Sequence, residues 1–233
     1  MRNVRWIGAV AVAGAMCVAG CGGGSTTEIP PSIASSSETQ AVAPAKPVQN
    51  LVITAAELPP GLTVTPIEAD EKKAILDQLT GSADEGATFT PAECRLPSMF
   101  EPSAPVDASK LGVVVGEAGR GYFNEAVVAQ RPAVARLRTF LDTCKTVRET
   151  HGGTSIETTY TVLEGVRSKA DELVVVHEQV PGVLVKQDAY TAYASVAGHA
   201  VWVRMRTLGG DAPDRPLFDQ LVTASIDKVA AAR

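Results

Sequence analysis

From Leu111 to Leu208 the sequence repeatedly falls into a period of two, and that rhythm limits the fold more than any other feature. Val201, Val203 and Met205 alternate with Trp202, Arg204 and Arg206. One set must face a core and the other the opposite side of a strand. Ile156, Tyr160 and Val162 alternate with Glu157, Thr159 and Thr161, while Leu173 to Val176 is solidly apolar, as a central strand is. Tyr190 to Val196 and Val201 to Leu208 flank Ala197-Gly198-His199. Leu111 to Val115 and Tyr122 to Ala129 flank Ala118-Gly119-Arg120-Gly121. Both connections are of hairpin length, whereas parallel neighbours need a long crossover. The pattern predicts a largely antiparallel sheet of about five to six strands.

Three helical stretches punctuate this sheet. Thr65-Pro66-Ile67-Glu68 offers an N-cap, a proline at the first helical position and a glutamate at N3. A helix is expected from there to about Leu79, with Ile75, Leu76 and Leu79 inward and Thr80-Gly81 as its left-handed stop. Val134, Leu137, Leu141 and Cys144 form one apolar stripe of a second helix opened by Pro132. Asp214 caps a third, with the stripe Phe218, Leu221, Val222, Ile226 and Val229. Upstream, Leu51-Val52-Ile53 reads as an entry segment, and Thr54-Ala55-Ala56-Glu57 as a capping box for a single turn before Pro59-Pro60. The element order is that of an α+β domain with helices packed on one face of the sheet.

The chain begins with Arg2 and Arg5, then fifteen uncharged residues from Trp6 to Gly20, then Cys21 and three glycines. A basic head, a short apolar run and small residues before a cut describe a secretory signal over residues 1–20. The run is shorter than the roughly 20 apolar residues a bilayer-spanning helix needs. Val18-Ala19-Gly20-Cys21 resembles the lipobox of bacterial lipoproteins, which implies that Cys21 is lipidated and becomes the first residue of the mature chain. The alternative is an ordinary secreted protein cut nearby. Residues 22–50 are rich in Ser, Thr, Pro and Ala and poor in large apolar residues, so residues 21–50 read as a lipidated cysteine and flexible tether with a reach of roughly 30 Å. Residues 51–233 then form a single domain, which the signal would place at the cell membrane on the extracytoplasmic side. Formal charge is −5 and becomes more negative when Arg2 and Arg5 leave. That argues against nucleic acid as a partner and leaves acyl chains as the hold on the membrane.

Of four cysteines, Cys17 leaves with the signal and Cys21 carries lipid. Cys94 and Cys144 remain in an oxidising compartment and are expected to be bonded; the alternative is two free buried thiols. Cys94 lies in an irregular stretch from Ser82 to Ser109 with Pro91, Pro97, Pro102 and Pro105, which a disulfide would brace. Closing so long a loop is worth at most roughly 4 kcal/mol in the chain-entropy model.

Catalytic signatures are missing: no Gly-x-Ser-x-Gly, no P-loop, no dinucleotide fingerprint. His177-Glu178-Gln179-Val180-Pro181 begins like a zinc-protease helix, but Pro181 stands where the second His is required and the segment reads as strand. His151 and His199 sit beside glycines in expected turns. No metal ligand set or cofactor is predicted, and the chain is not expected to be an enzyme. One constellation remains. Trp202, Arg204 and Arg206 share a strand face. If Tyr193 and Tyr160 join it from neighbouring strands, the sheet offers an aromatic and cationic floor for an anionic or polar ligand. The competing reading is a solvated face with the arginines paired to Glu157 or Glu178.

The Cys94 loop, the Leu111–Ala129 hairpin, the helix ending in Cys144 and the hairpins and helix that follow resemble mycobacterial lipoproteins whose domain is like the extracellular sensor domain of H-type transmembrane serine/threonine kinases. Tyr122 to Cys144, YFNEAVVAQRPAVARLRTFLDTC, carries most of the likeness, which extends over about residues 51–233. The resemblance implies an α+β domain, a disulfide-braced sheet and a cleft for a ligand. This chain lacks cysteines for the second disulfide of that family, and Phe140 is the nearest aromatic where a tryptophan is expected before the helix cysteine. The expected role is a non-catalytic, sensor-like domain that binds a small molecule or an envelope protein. A lipid or glycolipid carrier with an apolar cavity is the alternative, and an envelope hydrolase the third reading.

Overall fold

The computed structural model describes residues 47–65, 67–82, 86–101, 106–164, 166–182, 186–208 and 211–232. The signal, Cys21 and nearly all of the tether, like Pro66, Pro102 and Pro105, lie outside the described residues. The early strands are β1 (Leu62–Thr65), β2 (Thr88–Thr90), β3 (Leu111–Ala118) and β4 (Gly121–Val128). They are followed by β5 (Thr146–His151), β6 (Thr154–Leu163), β7 (Glu172–Pro181), β8 (Lys186–Val196) and β9 (His199–Leu208). The helices are α1 (Ala69–Thr80), α2 (Val134–Thr143) and α3 (Arg215–Ala230).

Among the described residues the strands form one nine-stranded sheet in the order β1-β3-β4-β9-β8-β7-β6-β5-β2. Every pairing is antiparallel. The sheet is larger than the five to six strands expected, because β1, β2 and β5 carry too little apolar alternation to announce themselves. Their strand conformation comes from pairing rather than from propensity. The β8–β9 turn is tight as expected: Ala197 and Gly198 have φ of 51° and 80°, the positive pair that matches the twist of a two-residue hairpin.

Helices cover both faces, not one. On the first face Ile75 and Leu79 of α1 and Leu137, Phe140 and Leu141 of α2 pack with Val113, Ala126, Val176 and Trp202. On the second, Phe218, Leu221, Val222, Ile226 and Val229 of α3 pack with Phe123, Val127, Val175, Val201 and Val203. The central strands are apolar on both sides, so each side demands its own cover. The α3 stripe is the expected one, and Asp214 caps it by accepting the Leu217 N–H.

The first helix begins later than the Thr65 cap predicts. Thr65 is instead the last residue of β1, opposite Val115. The N-cap is Glu68, in a reciprocal capping box with Glu71. Gly81 ends the helix with φ of 74°, where L side chains are strained. α2 stops one residue before Cys144, which bonds Cys94 at 2.01 Å with Cα atoms 5.6 Å apart. The Cys94 loop then runs between the two helices: the Met99 N–H donates to the Leu79 carbonyl, and the Ala133 N–H donates to the Met99 carbonyl.

Val48 already packs against the α3-side core, three residues ahead of the expected domain start at Leu51. Gln49 bonds both the N–H and the carbonyl of Val113 through its side chain. Leu51, Val52 and Ile53 are buried against the α3 side. Thr54 donates from its N–H and hydroxyl to the Glu57 carboxylate, which is half of the expected box, and the Glu57 N–H donates to the Thr54 carbonyl, closing a turn rather than a helix. Among the described residues no helix is long and apolar enough to cross a membrane.

Candidate ligand-binding groove

The strand register decides what becomes of the expected floor. Tyr193 faces Trp202 across β8 and β9, and Tyr160 faces Glu178 across β6 and β7. Trp202, Tyr193 and Tyr160 pack on the α1–α2 side, and Arg204 and Arg206 share that side by the period of the strand. The five residues therefore lie on one face, but they do not form one floor. Trp202 is 1% exposed and lies in the core, out of reach of any ligand. Tyr160 is half-buried and stacks edge-on against Phe140 at 5.6 Å. Tyr193 is buried at 7% exposure, and that burial pushes its hydroxyl pKa up.

Two clefts meet at Arg204. The smaller, about 170 Å³, has Tyr160, Tyr193, Glu178 and Arg204 among its walls. The larger, about 390 Å³, lies between α1 and the far ends of β3, β4 and β9. Gln78 of α1 borders both, so helix and sheet enclose one groove with Arg204 at its waist. The arginines differ in their surroundings. Arg204 Nη2 lies 2.8 Å from Glu178 Oε2, with side chains 13% and 11% exposed. The Thr191 hydroxyl donates to the other Glu178 oxygen at 2.6 Å. Glu157 is taken by Arg148 on the outer part of the sheet. The Nε atoms of Arg204 and Arg206 are buried with no partner among the described residues. Burial, reinforced by the neighbouring Arg204 charge, pulls the Arg206 pKa down, though a guanidinium keeps its proton at any physiological pH.

The sequence reading missed several contributors. Tyr122 and Asn124 of β4 stand opposite Arg206 and Arg204 and line the larger cleft. Their alternation with Phe123 and Glu125 was visible, but nothing in the sequence put β4 beside β9. The roof residues of α1 were equally hidden. A polar network also lies on the α3 side: His177 Nε2 is 2.5 Å from Asp188 Oδ1, and Gln179 donates to Asp188 Oδ2. His177 lies in β7, as its strand reading requires. The His177 ring packs against Tyr190 at 4.8 Å. Among the described residues no hydroxyl bonds the other ring nitrogen, so there is an orienting acid and a base without a nucleophile. His151 is exposed at the end of β5, and His199 opens β9, bonding the Ala197 carbonyl. Among the described residues no cluster of His, Cys, Asp and Glu could hold a metal.

Glu125 is the other surprise. It lies on the α3 face, fully buried. The Ile53 N–H donates to its Oε2 at 3.0 Å, while Oε1 has no partner among the described residues. Burial pushes its pKa up to about 7, against the pull of the Ile53 N–H. Glu57 behaves oppositely: the bond from Lys228, then that from Thr54, lowers it to about 2.

No protein-family model and no curated protein matches the chain. Among solved structures the fold is shared with an uncharacterised protein of Mycobacterium smegmatis, an Rv0999 ortholog, at a TM-score of 0.51 and 16% sequence identity, covering 80% of this chain and 98% of that one. The extracellular domain of PknH from Mycobacterium tuberculosis also matches, at a TM-score of 0.47 and 15% identity, covering 80% of this chain and 96% of that domain.

Proposed function

We propose that this chain is an envelope lipoprotein: residues 1–20 are removed, Cys21 carries the lipid, residues 21–50 include the tether, and residues 51–233 form a non-catalytic, sensor-like domain facing the extracytoplasmic side. Its ligand occupies the groove between α1 and the sheet. The observation that carries this reading is that groove, a concave site walled by a helix and floored by arginines of β9. The Cys94–Cys144 bond supports the compartment, since structural disulfides persist where thiols oxidise. Both clefts carry charged side chains, which suits a polar ligand better than the acyl chains of a carrier. A hydrolase would need a nucleophile beside His177.

Replacing Ala74, on the groove wall in α1, by Trp tests the site. Native mass spectrometry of the chain extracted from the envelope should find a bound small molecule on the wild type that the filled variant lacks. Identical masses, both free of ligand, would remove the reading. Cys21→Ala tests the anchor: the variant should leave the detergent phase on phase separation, and continued partition into detergent would count against lipidation.

A further inference from the structure

One positive charge on the groove floor has no counterion among the described residues. Glu178 serves Arg204 with one oxygen and accepts from Thr191 with the other, so its capacity on this face is spent on its own strand neighbours. Arg206, two residues along β9, forms no ion pair or hydrogen bond among the described residues, and its Nε is buried without a partner. A guanidinium taken partly out of water keeps that cost until an anion meets it. The surroundings fit such a meeting. Tyr122 stands opposite Arg206 in register and is 47% exposed, giving a wettable ring wall. Asn124 adds an amide to the same cleft. Two acids border the space as well: Glu71 on α1 and Glu117 on β3. Glu71 is turned to its own helix, accepting the Glu68 N–H, and Glu117 is exposed on the rim.

We propose that the groove takes a ligand with a single carboxylate or phosphate group and that Arg206 is the residue that grips it. This rests on the reading of the groove as the binding site. A guanidinium fork matches a planar oxyanion with two parallel bonds. The acids on the walls repel a polyanion, so the remainder of the ligand is neutral or cationic. Arg204, already neutralised, shapes the waist of the groove rather than holding charge.

The test is a nuclear magnetic resonance titration of the full chain in detergent with acetate, with inorganic phosphate and with neutral N-acetylglucosamine. It follows the arginine Nε–Hε signals and the Asn124 amide. Acetate or phosphate should move the Arg206 and Asn124 signals saturably, and the better of the two names the source of the oxyanion. Arg206→Gln should weaken that binding at least about tenfold, the worth of one charge-assisted pair. Arg206→Lys should fall between, and neither variant should lower the urea midpoint. Equal anion binding by Arg206→Gln would overturn the assignment while leaving the groove as a site. Response to N-acetylglucosamine alone would do the same. Silence of every groove signal toward all three probes would take down the site with the inference.

Discussion

Replacing Glu125 by Gln should flatten the dependence of stability on pH. The carboxyl is buried beneath the N-terminal segment, bonded through one oxygen to the Ile53 N–H, and its pKa rises from 4.5 to about 7 on folding. A raised carboxyl holds its proton more tightly in the folded state. Its penalty is absent below the unfolded value, grows as pH climbs through the window between the two, and is complete above the folded value. At 1.36 kcal/mol per unit, the loss is about 3 kcal/mol between roughly pH 4 and pH 8. The amide introduced by Glu125→Gln does not titrate, yet its carbonyl can still accept from Ile53. Urea unfolding of wild type and variant across this range should show wild-type stability falling by about that much more than the variant's, with most of the divergence between about pH 4.5 and 7. Glu57 does not confuse the result. Its pKa is lowered to about 2, so its contribution is present above the usual carboxylate range and is lost only as pH falls below that window. Parallel curves for the two proteins would refute the claim that a proton sits on Glu125 when the segment is docked.

Other perturbations follow from packing. Gly116→Ala places a Cβ 2.0 Å from the Thr63 carbonyl oxygen, so β1 must shift; a loss of roughly 1–3 kcal/mol with faster hydrogen exchange in Thr63 and Val64 is expected, and wild-type exchange would contradict it. Cys94→Ser with Cys144→Ser should lower stability by up to about 4 kcal/mol in urea, and an unchanged midpoint would show that the bond braces nothing. Glu178→Ala strands the guanidinium of Arg204 in a nearly dry setting and should cost several kcal/mol, roughly 3–5, more than Arg148→Ala costs on the exposed outer strands. Equal losses on thermal denaturation would mean that both pairs are solvated.

Much of the architecture could be read in advance where a residue's own pattern decides its state. All five stripe residues of α3 pack against the sheet, since a helical period over sixteen residues admits one buried side. The Cys94–Cys144 pair could be read because Cys17 and Cys21 fall in the stretch that reads as signal and lipobox, which leaves two cysteines to bond each other. Strands β1, β2 and β5 could not. Thr88–Thr90 has only Phe89 to mark it, and Thr146–His151 buries only Val147. Neighbours supply what those segments lack. The one-faced packing expected for the sheet failed at Val174, Val175 and Val176, whose unbroken apolar run already required cover on both sides. The site was partly legible. Alternation put Trp202, Arg204 and Arg206 on one face, but the depth at which each lies depends on α1 and α2, whose docking no local pattern records. Trp202 is therefore sealed in while Arg206 opens to the groove.

The bond between Cys94 and Cys144 has a meaning beyond stability. It fastens the loop that carries Met99, and Met99 in turn ties the end of α1 to the start of α2. The lid of the cleft is thus held by a covalent clasp that closes only where thiols oxidise. In a reducing compartment that clasp would stay open. Under the proposed envelope location, export would be the event that closes the clasp, so the groove would be completed only after the chain leaves the compartment that makes it.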